Sequence, residues 1–325
     1  LHTQATCQSL TSRSGTQGQP TSVSLVRYSE GTVGYVFDAF LVTEKFAAKF
    51  KGKRVCLVLS VGGSSGIAHI GALKAINYLN ISPNCIFGNS IGALIGALYA
   101  RNPNRNYNEI YSQLMDYYVY YVTRLKIDAA ESNGILGGIA LAFINPFLGL
   151  AGGLAIADQS AKNIDERNIE HFHEFLESYF NGIRIESLPV EYATSHFTRN
   201  GQGVKLNIET SGNLSRAIIA SISNPYIFNL PNNNKIDPGI DRTAATPISD
   251  ACSTFHPEII IAINVTGNNS IYDKNINCKV IEIELETFIK NETEVILGRG
   301  PEYNSLIKDA FNKTLFRMKQ KAENL

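Results

Sequence analysis

The chain has 325 residues, 44% of them hydrophobic, which is enough to bury one large core or two ordinary ones and excludes both a disordered chain and a disulfide-stapled miniprotein. Its 29 basic and 29 acidic residues cancel, so no overall field recruits nucleic acid. Charged residues make up only 18%, low for a protein that meets water alone, and any lipid contact is expected to be mainly apolar.

The chain opens on Leu1 rather than methionine, so loss of an upstream segment is expected; export stays open and the compartment is not specified. Residues 1–24 are rich in Ser, Thr and Gln without a sustained apolar period, and residues 1–50 read as a partly ordered arm with order beginning by about Val33. "RVCLVLS", residues 54–60, predicts a strand buried on both faces, ended by Gly62 and Gly63. Ile67, Ile70, Ala72, Leu73, Ile76 and Leu79 then recur at helical spacing. "CIFG" gives a second strand, and after Ser90 the residues Ile91, Leu94, Ile95 and Leu98 mark a second helix with one apolar face. Strand, helix, strand and helix in succession imply a parallel α/β unit.

Residues 102–189 read as an inserted apolar, helical region. Within it, residues 134–157 carry no charged side chain. A single membrane span is disfavoured by the glycines and Pro146 inside the stretch. Two short helical pieces broken at "NPF" are expected, forming a lid over the active site or, alternatively, part of the core. Tyr117, Tyr118, Tyr120 and Tyr121 suit packing or an interfacial edge. Past it, "VEYATSHF" and "VKLNIET" flank "TRNGQG" as a hairpin, "NLSRAIIASIS" is helical, and two further strands precede a carboxyl-terminal helix from about Tyr303. The five cysteines are scattered, Cys56 and Cys85 lie in apolar runs as buried thiols, and neither a disulfide framework nor a metal site is expected.

The sharpest feature is "GNSIG", residues 88–92, between a strand and a helix. The spacing G-x-S-x-G forces the serine into a tight, exposed turn, with Gly88 and Gly92 leaving room for neighbouring backbone. A helix begins directly after it, so amide N–H groups and a positive dipole end face any oxyanion formed there. Ser90 is thus the candidate nucleophile. A glycine-flanked helix cap without chemistry is the bland alternative.

The turn "LSVGGSSGIAHIGAL" followed by "GNSIGALIGALYA" resembles the patatin-like phospholipases, whose usual forms are G-G-G-x-R-G and G-T-S-A-G. The resemblance implies a three-layer α/β fold with a mostly parallel sheet flanked by helices, and lipid acyl hydrolysis of the phospholipase A or lysophospholipase type without metal or organic cofactor. It implies an oxyanion hole from main-chain groups of Gly62, Gly63 and Ser64, with Gly66 opening the helix. It also implies aspartate as sole base. "NLSRAIIASISNPYIFNLPNNNKIDPGI" is similar to the family's base-bearing segment and assigns that role to Asp237, with Gly239 as a structural glycine. Val61, Ser65 and Pro238 depart from the family pattern; Ser65 removes a positive charge, whereas main-chain donors do not depend on side-chain identity.

Two rival readings stand beside this one. Ser90, Asp237 or Asp250, and His256 follow the chain order of an α/β-hydrolase triad. An inactive, membrane-binding relative is the other, prompted by the departures from the motif. His69 is expected to fill space behind the glycine turn, and His171 and His173 make a poor metal pair because they point to different helix faces. The expected partners are a phospholipid or other lipid ester and a membrane surface bound peripherally; a protein activator is not specified. The catalytic domain is expected to run over residues 51–325.

Overall fold

The computed structural model describes residues 24–27, 33–36, 46–102, 107–114, 174–200, 203–223, 234–285 and 301–322. A small antiparallel pair, β1 (Ser24–Arg27) with β2 (Val33–Val36), comes first. Regular structure therefore begins ahead of Val33, because β1 is the strand that β2 needs as a hydrogen-bonding partner.

The body is a seven-stranded sheet. β3 (Val55–Leu59) lies at its centre, in parallel register with β4 (Cys85–Gly88) on one side and β8 (Ile259–Asn264) on the other. β9 (Lys279–Glu284) extends the parallel ladder beyond β8. β5 (Glu191–Asn200) pairs parallel with β4 and antiparallel with β6 (Gly203–Glu209), so the hairpin read from the sequence forms, with its strands running further into the turn than expected. Every residue of β3 is buried. Val55, Leu57 and Leu59 enter one core, while Cys56 and Val58 enter another, the signature of a strand covered on both faces.

The helices over the larger core include α1 (Ala68–Tyr78), α2 (Ile91–Arg101), α3 (Leu214–Ile222) and α5 (Pro301–Ala322). Fully buried aliphatics such as Leu57, Ile70, Leu73 and Ile76 anchor it, each contributing about 1.5–3 kcal/mol by leaving water. Ile110, Leu114, Leu176 and Phe180 join the same core, so described residues near both ends of the expected insertion pack on the body. The uncharged stretch 134–157, the tyrosine cluster, His171 and His173 lie outside the described residues.

On the opposite face the smaller core is closed by α4 (Ile248–Phe255), whose Phe255 meets Phe87 edge-on with ring centres 6.4 Å apart. This helix was not read from the sequence. "ISDACSTF" is short and half polar, and only Ile248, Ala251, Cys252 and Phe255 face inward.

The cysteine reading needs correction. Cys56 and Cys85 are direct cross-strand partners in the β3–β4 register, with Cα atoms 4.6 Å apart, and are disulfide-bonded rather than free. Cys252 on α4 bonds Cys278, just ahead of β9, with a Cα separation of 6.0 Å. Each bridge spans a sequence separation of 29 or 26, which restricts the unfolded chain by about 3–4 kcal/mol in loop-entropy terms. Strand register and helix docking create both pairings, and neither is visible in cysteine spacing.

Candidate active site

Parallel strands present their carboxyl ends to one edge of the sheet, and there β4 stops at Gly88 and α2 starts at Ile91. Ser90 occupies the corner at φ 53°, ψ −123°, a conformation unusual for a residue with a side chain. The flanking glycines explain how so sharp a turn fits. A Cβ on Gly92 would sit 2.5 Å from the Leu59 carbonyl oxygen and 2.6 Å from that of Ser60, and one on Gly88 would strike the Gly92 carbonyl. Gly92→Ala is accordingly expected to destabilise the fold by about 3 kcal/mol, read as a lower urea midpoint, because the obstacles are backbone atoms that cannot swing aside.

The partner of Ser90 arrives by a second device. β6 takes one edge of β5 from Thr194 to Asn200, and β4 takes the other only as far as Ala193. Beyond the point where β4 turns away, the free edge of β5 is taken by the two-residue strand β7 (Lys235–Ile236), paired with Phe197 and Thr198. The next residue is Asp237. Its φ of −54° and ψ of 132° are the extended backbone that a following proline favours. The Ser90 hydroxyl donates to Asp237 Oδ2 at 2.6 Å, and the Gly239 N–H donates to Asp237 Oδ1 at 2.6 Å. The Asp237 N–H is held by the Ser223 carbonyl, and the Ser90 N–H by Ser221 Oγ at 2.9 Å.

Asp237 is 4% exposed. Removal from water pushes its carboxyl up to about 6, opposed by the hydrogen bonds from Ser90 and Gly239 that favour the anion. The group is a stronger base than an exposed aspartate while remaining ionised at neutral pH. Val61, which stands where the family pattern has glycine, packs close to Gly239 and is itself buried.

Gly62, Gly63, Ser64 and Gly66 lie in the adjoining turn, where a 3-10 segment over Gly63–Ile67 leads into α1. Gly63 has a φ of 52°. Packing of Gly66 is so tight that a Cβ there would meet the side chain of Ile91, which ties this turn to the start of α2. The Ile91 N–H, directly after Ser90, is a first-turn helix donor with no intrahelical acceptor. Sequence reading left it out as an individual donor.

His69 and His256 take other places. His69 is fully buried on α1, donates from Nε2 to the Ser60 carbonyl at 3.0 Å, and is held near a pKa of about 4 by desolvation. It stays neutral and backs the glycine turn. His256 is the left-handed residue that caps the carboxyl end of α4, at φ 48° and exposed, beside the amino end of β8. That is the opposite end of the sheet from Ser90. The structure thus brings Ser90 and Asp237 together and does not bring His256 to them. The groove lined by Phe50, Lys53, Arg54 and Asn84 is at that far end too, with Lys53 and Arg54 engaged by Glu258 and Glu191. Among the described residues no group of three metal-ligating side chains occurs, and no helix is long and apolar enough to cross a membrane.

A family model described as patatin-like phospholipase matches residues 57–248. Lysophospholipase NTE1 of Coccidioides immitis is 52% identical over 58 residues, 18% of this chain and 4% of that protein. Lysophospholipase nte1 of Aspergillus fumigatus is 32% identical over 153 residues, 47% of this chain and 9% of that protein. The matched part is thus under a tenth of the length of either relative. Among solved structures, the ExoU–SpcU complex from the type III secretion system of Pseudomonas aeruginosa gives a TM-score of 0.40 at 14% identity, covering 99% of this chain and 59% of the other. VipD from Legionella pneumophila gives 0.37 at 11% identity, covering 96% and 72%.

Proposed function

The chain belongs to the patatin-like phospholipase family, and from that premise we propose that it is a lipid acyl hydrolase working through a Ser90–Asp237 dyad and an acyl-enzyme. The observation that supports this reading is the 2.6 Å bond from the Ser90 hydroxyl to a buried, basicity-raised carboxylate. Asp237 Oδ2 accepts the proton as Ser90 Oγ attacks the ester carbonyl carbon. The resulting oxyanion is held by main-chain N–H groups of Gly62, Gly63 and Ser64 and by that of Ile91. The tetrahedral adduct collapses, its C–O bond to the alcohol breaks, and Asp237 returns the proton to the departing oxygen. Water then adds to the acyl-serine with Asp237 again as base, and carboxylic acid and free Ser90 are regenerated. No step needs a metal or an organic cofactor.

The proposed substrate is the carboxylic ester of a phospholipid or lysophospholipid, met at a membrane surface. Residues 51–325 are proposed as the catalytic unit. The two disulfides suit an oxidising compartment.

Incubation with mixed phospholipids, lysophospholipids and neutral esters, read by mass spectrometry, is expected to show fatty-acid release from the phosphate-bearing lipids; no release from any ester would favour an inactive relative. His256→Ala is expected to leave turnover within about twofold of wild type, since the imidazole lies at the wrong end of the sheet. A loss on the order of 100-fold or more, the scale of a lost general base, would select the triad instead.

A further inference from the structure

Asn89, the residue before the nucleophile, is fully buried, and its side chain makes three hydrogen bonds to segments far away in sequence. Nδ2 donates to the Ala244 carbonyl at 2.8 Å. Oδ1 accepts from both the N–H and the hydroxyl of Ser195 on β5, each at 3.0 Å. These partners also fix the orientation of the amide, because a carbonyl only accepts and a backbone N–H only donates.

Ala244 ends a run of tight turns that starts at the proposed base. The Ile240 N–H bonds the Asp237 carbonyl, the Asp241 N–H bonds that of Pro238, and the Ala244 N–H bonds that of Asp241. Asp241 Oδ1 further accepts from the N–H and hydroxyl of Thr243. One residue on, the Ala245 carbonyl accepts from the Val61 N–H. The base-bearing segment is therefore a hydrogen-bonded connector whose far end is held by the elbow through Asn89 and by the glycine turn through Val61.

We infer that Asn89 is a positioning residue for the reaction: its buried amide sets the register of the Asp237 segment against the nucleophile elbow, along a hydrogen-bonded route separate from the Ser90–Asp237 bond itself. No isosteric side chain does both tasks. Aspartate keeps the acceptor for Ser195 and lacks the donor for Ala244; leucine has the volume and neither function. The inference rests on the dyad proposed above, so Ser90→Ala serves as its control.

The test is kcat and KM for Asn89→Asp, with kcat normalised to the serine titrated by a fluorophosphonate, so that unfolded protein is not counted. A displacement of the base by a fraction of an ångström to 1 Å lowers kcat about 10- to 100-fold, and KM is expected to stay within twofold. A kcat per titrated serine equal to wild type overturns the proposal. If Asn89→Asp does not fold, Ser195→Ala reads the same claim by removing one of the bonds to Oδ1. A three- to tenfold fall in kcat at unchanged KM supports it, and wild-type kcat overturns it. Residual turnover in Ser90→Ala equal to wild type would instead remove the dyad on which the inference depends.

Discussion

Ser90→Ala is expected to lower ester turnover by on the order of 10⁴-fold or more without disturbing the fold. The loss is large because alanine removes the hydroxyl proposed to attack the ester and carry the acyl group. The elbow holds one hydroxyl at the carboxyl end of β4, at the start of α2, bonded to the one carboxylate. Alanine keeps the backbone. The Ser90 N–H still reaches Ser221 Oγ, Gly88 and Gly92 still clear the neighbouring carbonyls, and the thermal midpoint should change little. The strain at φ 53° is the same in either residue, since both carry a Cβ. Fatty-acid release measured against purified wild type gives the rate, and circular dichroism of the same samples shows that the loss is chemical. Turnover within tenfold of wild type would place the nucleophile elsewhere.

Asp237→Asn is expected to combine a comparable loss of turnover with a gain in stability. The amide fills the same space and can meet both the Gly239 N–H and the Ser90 oxygen, yet it cannot take a proton. The stability effect follows from linkage. An aspartate near 3.8 in the unfolded chain and near 6 when buried binds its proton more tightly in the folded state. Below about pH 4 both states are protonated and nothing is lost. Between about pH 4 and 6 the unfolded chain ionises first, and above that the folded protein carries a desolvated anion at a cost of about 3 kcal/mol. Asparagine removes this cost, so urea midpoints should rise at pH 8 and converge with wild type as the pH falls toward 4. The same shift sets the activity profile: wild-type turnover should climb with pH through about 6 and then level off.

Much of this architecture is legible in the residues. The unbroken apolar run of β3 declares a strand covered on both sides, and Ile91, Leu94, Ile95 and Leu98 declare the helix behind the elbow. Ser90 stands out because glycine spacing, a strand and a helix all agree. Asp237 does not stand out in this way; Asp-Pro-Gly is an ordinary turn tripeptide, and its role was read from resemblance to a family segment. What carries it to Ser90 is β7, two residues long, whose pairing depends on where β4 leaves the edge of β5. No local periodicity encodes that.

Partners distant in sequence were invisible for the same reason. Asn89 reaches Ser195 and Ala244, and Cys56 meets Cys85, only once strand order and register are set. α4 escaped notice because half of its eight residues are polar and its apolar stripe is a single narrow line. His69, expected to fill space behind the glycine turn, is buried there against the Ser60 carbonyl and neutral, and His256, the base of the rival triad, caps a helix at the far end of the sheet.

The most direct test is the pH dependence of fluorophosphonate labelling, with the modified peptide identified by mass spectrometry, in wild type, Asp237→Asn and His256→Ala. Label should appear on Ser90, at a rate governed by one ionisation near pH 6, unchanged by loss of the imidazole and abolished by loss of the carboxylate. Labelling of Ser90 that proceeds at the wild-type rate in Asp237→Asn, or that disappears in His256→Ala, would contradict the dyad.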